Sequence, residues 1–283
     1  MNIGVIGLGL IGGSFAKTVK KNSEHKVYGY DINSVTILKA QMTNAIDGVL
    51  DESVLPTIDL LVVATNPDLF LSAVETRLPL LKSGAIVMDF CGTKQNIVSA
   101  MKLLSKTYTD LKFYGGHPMA GREFSGFDRS TSTLFAKASM ILVPVNTDIF
   151  DNEFIKKFFL ELGFLEVVFT TSENHDKVIA YTSQLCHVVS NAFIKNKTSQ
   201  KHYGYSAGSY KDLTRVARLN SEMWSTLMIE NKENLYSELC ELIDNLQEYK
   251  VALEKGDKAL LKQILQEGSD IKIATDFTNS KLK

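Results

Sequence analysis

The stretch MNIGVIGLGLIGGSFAKTVKKNSEHKVYGYD, residues 1–31, decides the fold. Ile3–Ile6 is a short apolar run that predicts a strand, and Ser14–Lys21 repeats at helical spacing. Between them Gly7-Leu8-Gly9-Leu10-Ile11-Gly12 follows the pattern G-x-G-x-x-G. Glycines recur by chance, so the pattern carries weight only through its context. That context is complete, because a second strand, Lys26–Tyr30, follows the helix and ends in Asp31. In such a unit Gly7 permits the tight turn, Gly9 lets the backbone approach a pyrophosphate, and Gly12 lets helix and strand pack closely. The free N–H groups of the helix start then face the phosphate. A carboxylate at position 31 accepts hydrogen bonds from the adenosine ribose hydroxyls and repels a 2′-phosphate, so the expected cofactor is NAD. Asn33 nearby is neutral, and no arginine follows Asp31 closely in sequence.

Outward from this unit, strand and helix signals keep alternating. Apolar runs at Leu60–Ala64, Ala85–Asp89, Lys112–Gly115, Ser139–Val143 and Glu166–Phe169 predict further strands. Leu69–Leu81 and Asn96–Tyr108 predict helices between them. Near-continuous apolar strands alternating with helices imply an α/β class: a parallel, doubly wound, Rossmann-like sheet covered on both faces. Two more loops leave strand ends, where ligands bind in such sheets. They are Ala64-Thr65-Asn66-Pro67 and Cys91-Gly92-Thr93-Lys94, and Thr65 and Asn66 are expected to line the cofactor site.

After Thr171 the strand signal stops. Glu173–Lys195, Gly208–Arg218, Glu222–Lys255 (with a possible break) and Asp257–Ile273 predict helices, and all five prolines precede Thr171. Expected domains are therefore 1–171, binding NAD, and 172–283, all-helical, with a polar, frayed tail over 275–283. The 283 residues carry 31 basic and 32 acidic side chains, a net charge of −1, which gives no global field to attract nucleic acid or an anionic membrane. No apolar run approaches the ~20 residues that span a bilayer, and no signal-peptide pattern opens the chain. Three widely spaced cysteines imply neither a disulfide framework nor a zinc site. The expectation is a cytoplasmic protein acting on a small molecule.

Gly115-Gly116-His117-Pro118-Met119-Ala120-Gly121 reads as a loop at a further strand end, presenting a histidine able to take a proton near neutral pH. The plain alternative is a surface histidine in a turn. In the helical half His187 lies within an apolar helical stretch and reads by itself as a core residue. Asp212 and Arg215, three apart, share a helix face, and the arginine fork suits a carboxylate. A surface ion pair is the plain alternative there, and Trp224 reads as core.

Taken together, these segments resemble the prephenate dehydrogenase family, with its arogenate dehydrogenase relatives, over nearly the whole chain. The matching pieces are residues 7–14, Gly116–Gly121, Glu123, Ser125-Gly126, His187, Asp212-Leu213-Thr214-Arg215, Met223-Trp224 and Glu230-Asn231-Lys232. The resemblance implies a site between the two domains and a homodimer formed by the helical one. It implies NAD-dependent oxidative decarboxylation of prephenate to 4-hydroxyphenylpyruvate, on the route to tyrosine. The family's catalytic histidine falls on His117. Its hydroxyl residue, which holds that histidine and the substrate's ring hydroxyl, falls on Thr93, where serine is usual. Its second substrate-site histidine falls on His187, its carboxylate-binding arginine on Arg215, and its acidic pair at the entrance on Glu123 and Asp212. The chain is too short for the regulatory ACT domain or fused chorismate mutase that members often carry. Arogenate as substrate, a β-hydroxy acid dehydrogenase and an NAD-sensing protein are the alternative readings.

Overall fold

The structure is a computed structural model and describes residues 1–122 and 124–281. The chain divides into two compact units, Met1–Lys232 and Glu233–Lys283. The first opens with strand β1 (Asn2–Ile6), helix α1 (Leu10–Asn22), β2 (Lys26–Tyr30), α2 (Ser34–Met42), β3 (Gly48–Val49) and β4 (Leu60–Val63). It continues with α3 (Phe70–Val74), β5 (Ile86–Asp89), α4 (Gln95–Thr107), β6 (Lys112–Pro118), β7 (Ser139–Pro144), α5 (Ile149–Glu161) and β8 (Glu166–Phe169). Helices α6 (Ser172–Ile179), α7 (Cys186–Ile194), α8 (Gly208–Thr214) and α9 (Ser221–Glu230) complete it. Most of α10 (Lys232–Lys255) and all of α11 (Lys258–Lys281) make up the second unit.

All seven predicted strands form, and the described residues add the two-residue edge strand β3. The order β3-β2-β1-β4-β5-β6-β7-β8 reverses between β1 and β4, the switch point where doubly wound sheets bind ligands. Alternate side chains feed two core layers, which is why these strands read as unbroken apolar runs. Ile3, Val5, Leu60, Val62 and Met88 enter one layer. Ile6, Leu61, Val63, Val87 and Phe113 enter the other.

Several expectations need correction. The sheet is not parallel throughout, because β6 pairs β7 antiparallel, with His117 opposite Ile141. His117 therefore stands within a paired strand, not on a loop. Gly115 and Gly116 serve close packing there: a Cβ on Gly116 would lie 2.6 Å from the Asp89 carbonyl oxygen. Residues 69–81 form no single helix; a 3₁₀ turn precedes α3 and another, Leu78–Leu80, follows it, with Pro79 in place to break the ladder. The long helix expected over 173–195 is interrupted by a wider π turn, Ala180–Leu185. The possible break expected within 222–255 falls at Asn231, whereas α11 runs on to Lys281 where a frayed tail was expected. The helix expected to begin at Ser14 begins at Leu10. Helices α2 and α5 lie between strands where no particular helix was named from the sequence. Among the described residues no helix is long and apolar enough to cross a membrane.

Candidate active site

The glycine loop closes the C-terminal end of β1. Gly7 has φ +85°, a left-handed conformation that favours glycine, and its N–H donates to the Tyr30 carbonyl at 2.8 Å. Gly12 lies so close beneath it that a Cβ there would fall 1.9 Å from the Gly7 oxygen. Gly9 is the opposite case, since a Cβ built on it meets nothing within 4 Å. Protein packing therefore demands glycine at 7 and 12, whereas the bare surface at 9 is left for something outside the chain. Gly9 is also the N-cap of α1, so the unpaired first-turn amides of Leu10 and Ile11 follow the bare position directly. This fits a pyrophosphate.

Asp31, at the end of β2, accepts hydrogen bonds from the Leu8 amide at 2.8 Å and the Asn33 amide at 2.9 Å. It thus braces the glycine loop, and its oxygens retain lone pairs for hydroxyl donors. Thr65 neighbours Gly7, its methyl 3.2 Å from where a Gly7 Cβ would be. Its carbonyl accepts from the Cys91 thiol at 3.3 Å, and Asn66 beside it is exposed. Burial, reinforced by the charge of Asp89, pushes the Cys91 thiol well above its usual range, so it is no nucleophile.

The loop after β5 is welded in place. Asp89 and Lys94 form an ion pair at 2.5 Å with both side chains almost fully buried. The Lys94 ammonium also donates to the carbonyls of Cys91 (2.9 Å) and Thr93 (3.0 Å). The second Asp89 oxygen accepts from the Gly116 amide at 3.2 Å, one residue before His117.

The half-buried His117 has its Nδ1 2.9 Å from Nε2 of His175. Nδ1 of His175 lies 2.7 Å from the Asp176 carboxylate, and both of these α6 residues are fully buried. Asp176 also accepts from the amides of Lys94 (2.8 Å) and Gln95 (2.9 Å), and so caps α4 from across the site. Burial drives the His117 pKa well below its ordinary value, with His175 and Lys94 adding to the effect. Burial also lowers His175, while Asp176 pulls the other way. Burial opposes charge on Asp176 too, yet the hydrogen bonds from His175 and the two amides win and hold its pKa below the usual carboxylate value.

Thr93 is buried, and its hydroxyl donates to the carboxylate of Glu230 at the end of α9. The His117 ring is thus hydrogen-bonded to His175, while the Thr93 hydroxyl, which the resemblance assigns to holding that ring, bonds Glu230. Burial raises the Glu230 pKa despite the bond from Thr93.

His187 stacks on Trp224 with ring centroids 3.8 Å apart, and its Nδ1 donates to the Ser183 carbonyl at 2.8 Å. Asp212 is exposed on α8, and the exposed Arg215 opens the 3₁₀ turn that follows. Glu123 lies outside the described residues. His175 and Asp176 escaped the sequence reading, although a signal was present: Ser172, His175, Asp176 and Ile179 recur at helical spacing and form one buried face of α6.

Comparison with known proteins places the chain in a family. Residues 15–165 match the family model "Prephenate dehydrogenase, nucleotide-binding domain", and residues 171–267 match "Prephenate dehydrogenase, dimerization domain". The chain is 30% identical to a cyclohexadienyl dehydrogenase of Zymomonas mobilis over 96% of its own length and 95% of that protein's. The structure is similar to that of prephenate dehydrogenase from Aquifex aeolicus in complex with hydroxyphenyl propionate and NAD+. That likeness has a TM-score of 0.84 at 27% identity, over 97% of this chain and 98% of that one. It is also similar to Synechocystis arogenate dehydrogenase, with a TM-score of 0.80 at 26% identity, over 97% and 100% of the two chains. The two matched domains take in most of the chain, which belongs to the prephenate dehydrogenase family.

Proposed function

We propose that this protein catalyses the NAD-dependent oxidative decarboxylation of prephenate to 4-hydroxyphenylpyruvate, a step toward tyrosine. The observation that carries this reading is His117 on the end of β6, its ring backed by buried partners, on a sheet whose switch point holds the bare Gly9 surface. NAD bound at Gly7–Gly12, with Asp31 on the adenosine ribose and Thr65 and Asn66 alongside, supplies the hydride acceptor. His117, kept neutral by desolvation and by the neighbouring His175 and Lys94, accepts the proton of the ring hydroxyl as the C4–H bond breaks. The ketone so formed is conjugated with the ring, and loss of the C1 carboxylate as carbon dioxide leaves an aromatic phenol. Most of what the protein contributes is position and orientation, which can supply roughly 7–11 kcal/mol of the barrier.

The remaining residues take roles on the same reading. Arg215 clamps a substrate carboxylate, with Asp212 and Glu123 at the entrance and His187 on the substrate side. Thr93 lies near the ring hydroxyl, its own proton committed to Glu230. The helical region beyond residue 171 forms a homodimer, in line with the dimerization-domain match. Arogenate is the second reading, favoured by the likeness to Synechocystis arogenate dehydrogenase. It carries an amino group where prephenate has a ketone, so it would follow the same ring chemistry. The test is a side-by-side assay of both substrates with NAD and NADP. The expected result is NADH formation and carbon dioxide release with prephenate and NAD. Normal NAD binding with no turnover of either substrate would overturn the reading.

A further inference from the structure

We propose that His175 and Asp176 are positioning residues for the base: they hold His117 in the tautomer that carries its hydrogen on Nδ1 and leaves the Nε2 lone pair for the substrate hydroxyl. The inference rests on the reading of His117 as proton acceptor, and it assigns a function to two buried residues that reading did not require.

The argument runs from one fixed end. The Asp176 carboxylate takes the amides of Lys94 and Gln95 and can only accept while it is ionised. The hydrogen between it and His175 therefore sits on Nδ1 of His175, 2.7 Å away. Burial keeps the His175 ring neutral, so its Nε2 bears a lone pair and must accept. The contact of 2.9 Å to His117 then needs a hydrogen on His117 Nδ1. The other His117 tautomer would set two lone pairs against each other at that distance. Of the two ring nitrogens, only Nε2 remains unprotonated.

When the substrate hydroxyl is deprotonated, its O–H bond breaks and an Nε2–H bond forms on His117. Nδ1–H keeps its bond to His175, and no second proton need move. The imidazolium is then supported by the Asp176 charge one ring away, and opposed by the Lys94 ammonium, which Asp89 neutralises at 2.5 Å. Glu230 is the further carboxylate on this side, tied to Thr93.

The main chain is held by a parallel route. The Gly116 amide bonds Asp89, Asp89 bonds the Lys94 ammonium, and the Lys94 amide bonds Asp176. Ring and backbone of the base are thus held by two routes that meet at Lys94 and Asp176. Capping α4 alone would require Asp176 but no histidine between it and His117.

The experiment has a spectroscopic arm and a kinetic arm. With histidine labelled in ¹⁵N, five side chains report, and His117→Asn assigns the signal. The wild-type protein should show His117 with a protonated Nδ1 and an unprotonated Nε2, and His175→Phe should lose that fixed tautomer. A wild-type His117 protonated at Nε2 would overturn the proposal. In the kinetic arm His175→Phe should lower kcat on the order of ten- to a hundredfold, part of the factor that general-base catalysis supplies, with KM nearly kept. His175→Gln, whose amide oxygen can accept from Nδ1, should recover most of the loss. A folded His175→Phe that keeps wild-type kcat would overturn the proposal as well. A wild-type protein that turns over neither prephenate nor arogenate would sink the functional reading, while the tautomer measurement would still decide this one.

Discussion

Gly9 and Gly12 stand three residues apart in one motif, yet the structure asks different things of them. A methyl group on Gly12 has nowhere to go, because the Gly7 carbonyl occupies its place. A methyl group on Gly9 enters open space. Gly12→Ala should therefore lose at least about 1–3 kcal/mol of stability through overpacking, measured by urea unfolding. Gly9→Ala should unfold like the wild type but bind NAD more weakly by calorimetry; unchanged NAD affinity would remove Gly9 from the phosphate site. If His117 is the base as proposed, His117→Asn should lower kcat by roughly two to four orders of magnitude with KM nearly kept, read from steady-state NADH formation. At this scale the sequence was informative wherever a residue type has few uses. The glycines and Asp31 could be read from their spacing together with the strands and helix around them. The brace that Asp31 gives the Leu8 amide could not, because it depends on how the loop returns over β2.

The strands were legible because each central one is apolar on both faces. Strand direction was not: β7 runs against β6 through tertiary pairing that no local pattern encodes. That misread His117 as a loop residue, since the glycines before it look like a turn and instead permit close strand packing. The joint between β5 and α4 shows an element held by charge. Lys94 and Asp89 are paired out of reach of water. Removing one partner of such a pair leaves an uncompensated charge, at a cost of about 3–5 kcal/mol, well above the usual effect of an exposed pair. Lys94→Met should therefore destabilise the protein by about that much in urea titrations. A change below about 1 kcal/mol would mean the joint is held by packing instead.

For the molecule as a whole, the half-buried His117 and the buried His175 set the acid limit. His117 and His175 have folded pKa values below the ordinary 6.5, so the unfolded chain binds more protons beneath that point. Their contribution is complete above 6.5 and is lost as the pH falls from there through their folded values. Asp176 adds a second loss below 3.8. Glu230, raised above 4.5, acts with the opposite sign, its share present below 4.5 and lost as the pH rises through its folded value. The urea midpoint followed by circular dichroism should therefore start to fall just below pH 6.5, well above the carboxylate range. A midpoint flat down to about pH 5 would contradict the burial of these rings.

The stacked pair His187–Trp224 has a practical consequence. Trp224 is the chain's one tryptophan, and it lies in the unit Met1–Lys232 against a ring that can quench it. Its emission is a native optical probe: a dead-end ligand settling on His187 should change the colour or intensity of that light with no label and no turnover. The unit Glu233–Lys283 carries tyrosines, Tyr236 and Tyr249, and no indole. Melting the protein while recording indole light and helical ellipticity together would reveal whether the two units come apart in one event or two.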